Sequence, residues 1–216
     1  MKKKTILRWV ATGLAAVLAF AVGYGVAVFA KDDGLKQQIS NIIEDIFPEK
    51  EINVSIEGET ENVPHAPGGQ EPSSEGDNTP AIPGFVIYYD TERYTWIEED
   101  GATFIRFVTE YDIPPCEIEI RHIPNTTPAD AAEATRADML TTWPTVSEIE
   151  DCESPAGLRF SVANGMSWDS NCENIYFISD GQTGTYQIFS RYFIEAAEGH
   201  GARFAAMLNT FEIIAP

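Results

Sequence analysis

From Gly84 to the C-terminus the chain contains no lysine. Seven arginines there stand against 22 Asp and Glu residues, a net charge of −15. Histidine and cysteine are also scarce, with three of each in 216 residues. Each shortage removes a class of function. An acidic surface of this kind repels phosphate backbones and anionic lipid, which argues against nucleic acid and against docking on an acidic bilayer. No H-E-x-x-H, Cys-x-x-Cys or phosphate-cradling glycine loop occurs, so no zinc, dithiol or nucleotide site is nominated. No Gly-x-Ser-x-Gly elbow occurs either. The expectation is a non-enzymatic chain with no metal and no cofactor. The weighed alternative is an envelope-associated hydrolase whose active site the sequence does not mark.

What the chain does have is one long uncharged run. Trp9–Ala30 holds 22 residues without a charge, preceded by Lys2, Lys3, Lys4 and Arg8 and followed by Lys31, Asp32 and Asp33. About 20 apolar residues in a helix span the hydrocarbon core. The basic flank places the N-terminus in the cytoplasm and the remainder outside. A cleaved signal peptide is the competing reading, with Val28-Phe29-Ala30 as a tolerable site, but the run exceeds the usual apolar core of such signals. A single-pass cell-membrane protein is therefore expected, with residues 1–8 cytoplasmic, 9–30 the anchor and the rest extracytoplasmic. That external part carries ten Lys and Arg against 34 Asp and Glu, a net of −24.

Beyond the anchor, Leu35, Ile39, Ile42, Ile43, Ile46 and Phe47 recur at helical spacing, so residues 31–47 read as an amphipathic helix at the membrane face. Residues 48–83 are dense in Pro, Gly, Ser and acids and read as a disordered acidic stalk. Within them, 51–56 alternates like a strand without an evident partner, and His65 reads as a solvated linker residue.

Residues 84–216 read as one globular domain. Phe85–Tyr89 and Tyr94–Glu98 form a predicted hairpin, with a further strand at 102–108. Cys116–Arg121 alternates, placing Cys116, Ile118 and Ile120 on one face and Glu117, Glu119 and Arg121 on the other. Thr127 is the predicted N-cap of a helix with Pro128 at its first position and Trp143-Pro144 at its end. Ala131, Ala134, Thr135, Met139 and Leu140 trace its predicted packed stripe. Strands follow at 146–151 and 158–163, then a hairpin of 174–179 and 185–193 with bulky residues on both faces, as in strands covered on both sides. A last helix over about 199–208 turns Phe204, Met207 and Leu208 inward, and 211–214 closes the chain as a strand or docked tail. The fold class is α+β: an antiparallel sheet of seven or eight strands with two packed helices, preceded by the transmembrane helix and the stalk.

This order is similar to that of PsbP-like α/β/α sandwich domains. The residues that carry the likeness are the opening strand Gly84–Tyr89, the Thr-Pro-initiated helix, the Tyr/Phe-rich hairpin and the ending Met207-Leu208-Asn209-Thr210-Phe211. Pro114-Pro115-Cys116 and Arg191–Gly201 also resemble stretches in ectodomains of single-pass membrane proteins from Firmicutes. The resemblance covers residues 84–214 and implies a binding or assembly module, with no metal site to carry over.

Three local features hold candidate chemistry. Trp168 lies between polar residues in the loop 166–171, and with Asp169 it is the candidate ligand-binding pair, since tryptophan is enriched at binding hot spots. The competing reading folds Trp168 back over the sheet edge. His200 with Glu195 and Glu198 reads as an ordinary helix-start turn in preference to a metal site. Asp169–Glu173 lacks the glycine and distant glutamate of a calcium loop. Cys152 and Cys172 are expected to form a disulfide, with Cys116 buried and unpaired; the alternative is three free thiols packed as small apolar groups. The expected partners are the membrane, through residues 9–30, and an envelope protein or wall component.

Overall fold

A computed structural model describes residues 49–56, 59–70 and 82–214. The expected anchor at 9–30 and amphipathic helix at 31–47 lie outside the described residues. No described helix is long and apolar enough to cross a membrane.

Two antiparallel sheets and two helices make up the described chain. Strands β1 (Lys50–Ile56), β2 (Glu59–Gln70), β3 (Gly84–Tyr89) and β12 (Glu212–Ile214) form a four-stranded sheet in the order β1-β2-β3-β12. The larger sheet has eight strands. Its members are β4 (Tyr94–Glu99), β5 (Ala102–Phe107), β6 (Glu117–Ile123), β7 (Thr145–Val146), β8 (Glu150–Glu153), β9 (Ala156–Ala163), β10 (Asn171–Ser179) and β11 (Thr185–Phe193). They lie in the order β4-β5-β6-β11-β10-β9-β7, and β8 also pairs with β9. The α+β class and the eight-stranded antiparallel sheet with two helices match the sequence reading.

The central strands are covered on both faces, as their bulky two-sided sequences require. On one face Phe160, Val162, Ile175, Phe177 and Phe189 pack against helix α1 (Pro128–Thr142) through Ala131 and Ala132. On the other, Ile118, Ile120, Tyr176, Ile178 and Ile188 meet Phe85 and Ile87 of the small sheet and Phe204, Met207 and Leu208 of helix α2 (Ala202–Leu208). Thr127 caps α1 by accepting from the Asp130 amide at 3.2 Å, and Trp143 ends it. The stripe is rotated from the expected one: Ala134 and Leu140 are exposed, and Ala132 is buried in their place. Alanine lets the helix axis approach the sheet, and Gln187 on β11 then reaches Thr135 Oγ1 at 2.8 Å.

Three expectations need correction. First, the stalk is not a tether throughout 48–83, and the folded part begins well before Gly84. Strands β1 and β2 pair antiparallel, and β2 also pairs with β3, Ala66 lying opposite Tyr89 and Gln70 opposite Phe85. Its composition misleads because the glycines are there for contact. A Cβ on Gly68 would fall 2.5 Å from the Trp96 ring, and one on Gly69 would fall 2.5 Å from the Phe85 carbonyl oxygen. Val54, Val63 and His65 are buried, so His65 is a core residue and not a solvated one.

Second, β3 does not form a hairpin with β4. The Asp90 turn carries the chain from the small sheet to the large one, with the Asp90 carbonyl accepting from the Tyr94 amide at 3.0 Å and its side chain accepting from the Glu92 amide at 3.0 Å. Third, no disulfide forms: Cys116, Cys152 and Cys172 are all free thiols. Cys152 stands opposite Gly157 and Cys172 opposite Ala163, near the two ends of β9. Six residues of strand separate those positions by about 20 Å, far beyond the reach of one bridge. On the polar face of β6, Glu117 and Glu119 are buried and Arg121 is exposed.

Candidate functional site

Three segments leave the same end of the large sheet. The register sets Glu117 at the start of β6 beside Arg191 near the end of β11, Phe193 beside Asn171, and Cys172 beside Ala163. The loops 108–116 and 164–170 and the chain after Phe193 therefore emerge together. The loop 164–170 is held at four of its residues, Asn164, Ser167, Trp168 and Ser170. The Asn164 amide donates to the Asn171 carbonyl at 3.1 Å, and the Asn171 amide donates to Asn164 Oδ1 at 2.8 Å. Ser167 and Ser170 bond one another twice, amide to hydroxyl and amide to carbonyl, each at 3.0 Å. The Ile194 and Glu195 amides then donate to the Ser170 and Trp168 carbonyls, both at 3.0 Å. Gly165 allows the tight approach, since a Cβ there would sit 2.7 Å from Ser170 Oγ.

This braced loop presents apolar side chains to solvent. Met166 is 95% exposed and Trp168 61% exposed. Trp168 touches Phe193 edge-on at 6.4 Å between ring centroids, which orients the indole without covering it. Asp169 beside it is exposed. Tyr111, at the tip of the other loop, is 81% exposed. The structure thus brings the two sequence candidates, Trp168 and Asp169, to one sheet end and adds Met166 and Tyr111. Sequence reading passed over Tyr111 because Pro114-Pro115 marked its loop as a mere break. The available signal was an aromatic set between Glu110 and Asp112.

Beneath these loops a row of alternating charge crosses four strands. Arg106, Glu117, Arg191 and Glu173 are cross-strand neighbours on β5, β6, β11 and β10. Arg106 Nε lies 2.7 Å from Glu117 Oε2, and Arg191 reaches Glu117 at 3.3 Å and Glu173 at 3.2 Å. Arg191 also pairs with Glu119, which takes Arg121 as a second partner. Burial pushes the Glu173 carboxyl above its ordinary range, against the opposing pull of Arg191. The Arg191 guanidinium lies over the Phe189 ring at 4.6 Å, so the network is roofed partly by its own cations. The row ties β5, β6, β11 and β10 together at this sheet end.

The histidines are occupied elsewhere. At the opposite sheet end His122 Nε2 lies 2.9 Å from Asp180 Oδ2. Asp180 Oδ1 accepts from the Gln182 and Gly184 amides at 2.7 and 3.0 Å. Burial alone would raise the Asp180 carboxyl, but His122 and these amides outweigh it and hold it below its ordinary value. The dyad staples the β10–β11 turn. His200 lies in a π-helical turn, Ala197–Gly201, and its Nδ1 bonds the Tyr94 hydroxyl at 2.8 Å. Burial, with Arg203 and Arg93 nearby, pulls His200 down to about 4. His65 donates from Nδ1 to the Val63 carbonyl at 2.8 Å, and burial lowers it as well. Among the described residues, no three His, Cys, Asp or Glu side chains are grouped to hold a metal ion.

No protein-family model and no curated protein matches this chain.

Proposed function

We propose that this protein is a membrane-tethered, extracytoplasmic interaction domain that works by binding and not by catalysis. Residues 9–30 supply the tether, as a retained single-pass anchor with its N-terminus inside. The observation that carries the binding reading is the exposure of Met166 and Trp168 on a loop held at Asn164, Ser167, Trp168 and Ser170 by hydrogen bonds. Large apolar groups at solvent on a rigid support resemble the anchor residues of a protein interface, since their ordering entropy is already spent. A loop that merely pinned itself would bury its aromatic. The resemblance to PsbP-like domains points the same way, by analogy of fold alone.

The test is the size of the assembly formed by the full chain in mildly solubilised native membranes. The wild-type chain is expected to migrate in an assembly larger than itself, and Trp168→Ala to release it at unchanged abundance. Identical migration of both chains contradicts the reading.

A further inference from the structure

The loop end is apolar at its tips and acidic around them. Glu110, Asp112, Asp169, Glu195 and Glu198 are all exposed there. None of the five has an ion-pair partner among the described residues. Three nearby arginines, Arg93, Arg106 and Arg191, are already committed. Arg93, whose carbonyl accepts from the Val108 amide at 2.9 Å, is 3.1 Å from Asp90. Arg106 is held by Glu117, and Arg191 by Glu117, Glu119 and Glu173. The buried charge row is therefore balanced within itself, and the exposed acids are left as uncompensated negative charge around Tyr111, Met166 and Trp168.

From this complementarity we propose that the loop end docks a basic segment of another protein, one that carries lysines or arginines beside apolar side chains. This rests on the reading of the loop end as a binding surface. An acidic protein, an anionic polymer or an anionic lipid surface would bring like charge against like at close range. A cationic segment gains twice, from the five carboxylates and from the open ring faces of Trp168 and Tyr111, which attract ammonium and guanidinium groups. The apolar Met166 then covers the uncharged part of the segment, because a flexible thioether adapts to irregular surfaces.

The probe is a short fluorescent peptide of lysine, glycine and tryptophan, with a matched peptide bearing glutamate for lysine. Anisotropy is read with the detergent-solubilised full chain. The lysine peptide is expected to bind more tightly than the glutamate peptide. Combined Glu110→Gln, Asp112→Asn and Asp169→Asn substitution should weaken it by about 10-fold. The same loss of charge on exposed residues elsewhere, Glu133→Gln, Asp138→Asn and Glu153→Gln, should change it by less than about twofold. Equal weakening by both triple variants, or no preference for lysine, overturns the proposal. The native-membrane assembly separates the two levels of inference. If Trp168→Ala releases it and the loop-end triple variant does not, the basic partner is wrong and the binding surface stands. If neither releases it, the binding surface itself is wrong.

Discussion

Gly68 lies directly beneath the Trp96 ring, so close that a Cβ would stand 2.5 Å from the indole. The contact joins the N-terminal hairpin to the edge strand of the large sheet. It explains why a segment rich in Gly and Pro belongs to the folded domain. Limited proteolysis should leave a resistant fragment that begins near or before Lys50. Gly68→Val should shift cleavage into 50–70 and lower the melting temperature, because overpacking a closed contact costs about 1–3 kcal/mol. A resistant fragment that begins near Gly84 in the unmodified chain contradicts this assignment.

The three cysteines should all be alkylated after unfolding without any reductant. Their placement at the two ends of β9 forbids a bridge between Cys152 and Cys172. Burial raises the thiol pKa of all three, Cys116 to about 11, so reaction in the folded state should be slow. Peptide mapping that finds any disulfide-linked pair overturns this.

Arg191 should be the most sensitive charged position. It contacts all three of Glu117, Glu119 and Glu173. Removing it as Arg191→Met leaves buried carboxylates facing one another, and breaking a buried pair in this way costs about 3–5 kcal/mol. Chemical denaturation reads the loss. A change within experimental scatter would show that the carboxylates are solvated.

Stability should fall on the acid side of neutrality. His65 and His200 both have lowered folded pKa values, His200 about 4, against an ordinary 6.5. Above 6.5 both forms are neutral in either state and contribute no pH dependence. Below it the unfolded chain takes up protons that the folded chain refuses. Each such histidine then removes about 1.4 kcal/mol per pH unit until its folded pKa is reached. The window for His200 runs from 6.5 down to about 4. His200→Phe, which keeps an aromatic against Phe107 and Phe204, should flatten the melting temperature over that window. An unchanged slope would show that His200 is charged in the fold.

Much of this was legible in the sequence where the signal was local. The Thr127 cap, the β10–β11 hairpin and the inward Phe204, Met207 and Leu208 each follow from a few neighbouring residues. The polar neighbours of Trp168 allowed both exposure and a fold back over the sheet edge, and the structure exposes it. Pairings set by distant contacts were not. The partner of 51–56 is its own hairpin mate, which in turn needs β3, and Gly68 looked like a linker residue until Trp96 was placed over it. The turn at Asp90 carried hairpin chemistry but switches sheets. Glu117 and Glu119 alternate on one face of β6, and Arg191, more than 70 positions away, joins the nearer Arg106 and Arg121 in pairing them.

The central claim is that the loop end is where the domain meets its partner, and site-resolved photo-crosslinking in native membranes tests it most directly. A photoreactive residue is placed at Met166 or Tyr111, or at the solvent-exposed Leu140 and Glu153 on other surfaces. The account expects one discrete crosslinked species from Met166 and Tyr111, lost when Trp168→Ala is combined with either, and none from Leu140 or Glu153. Crosslinks from Leu140 or Glu153 in the absence of any from Met166 and Tyr111 would contradict it.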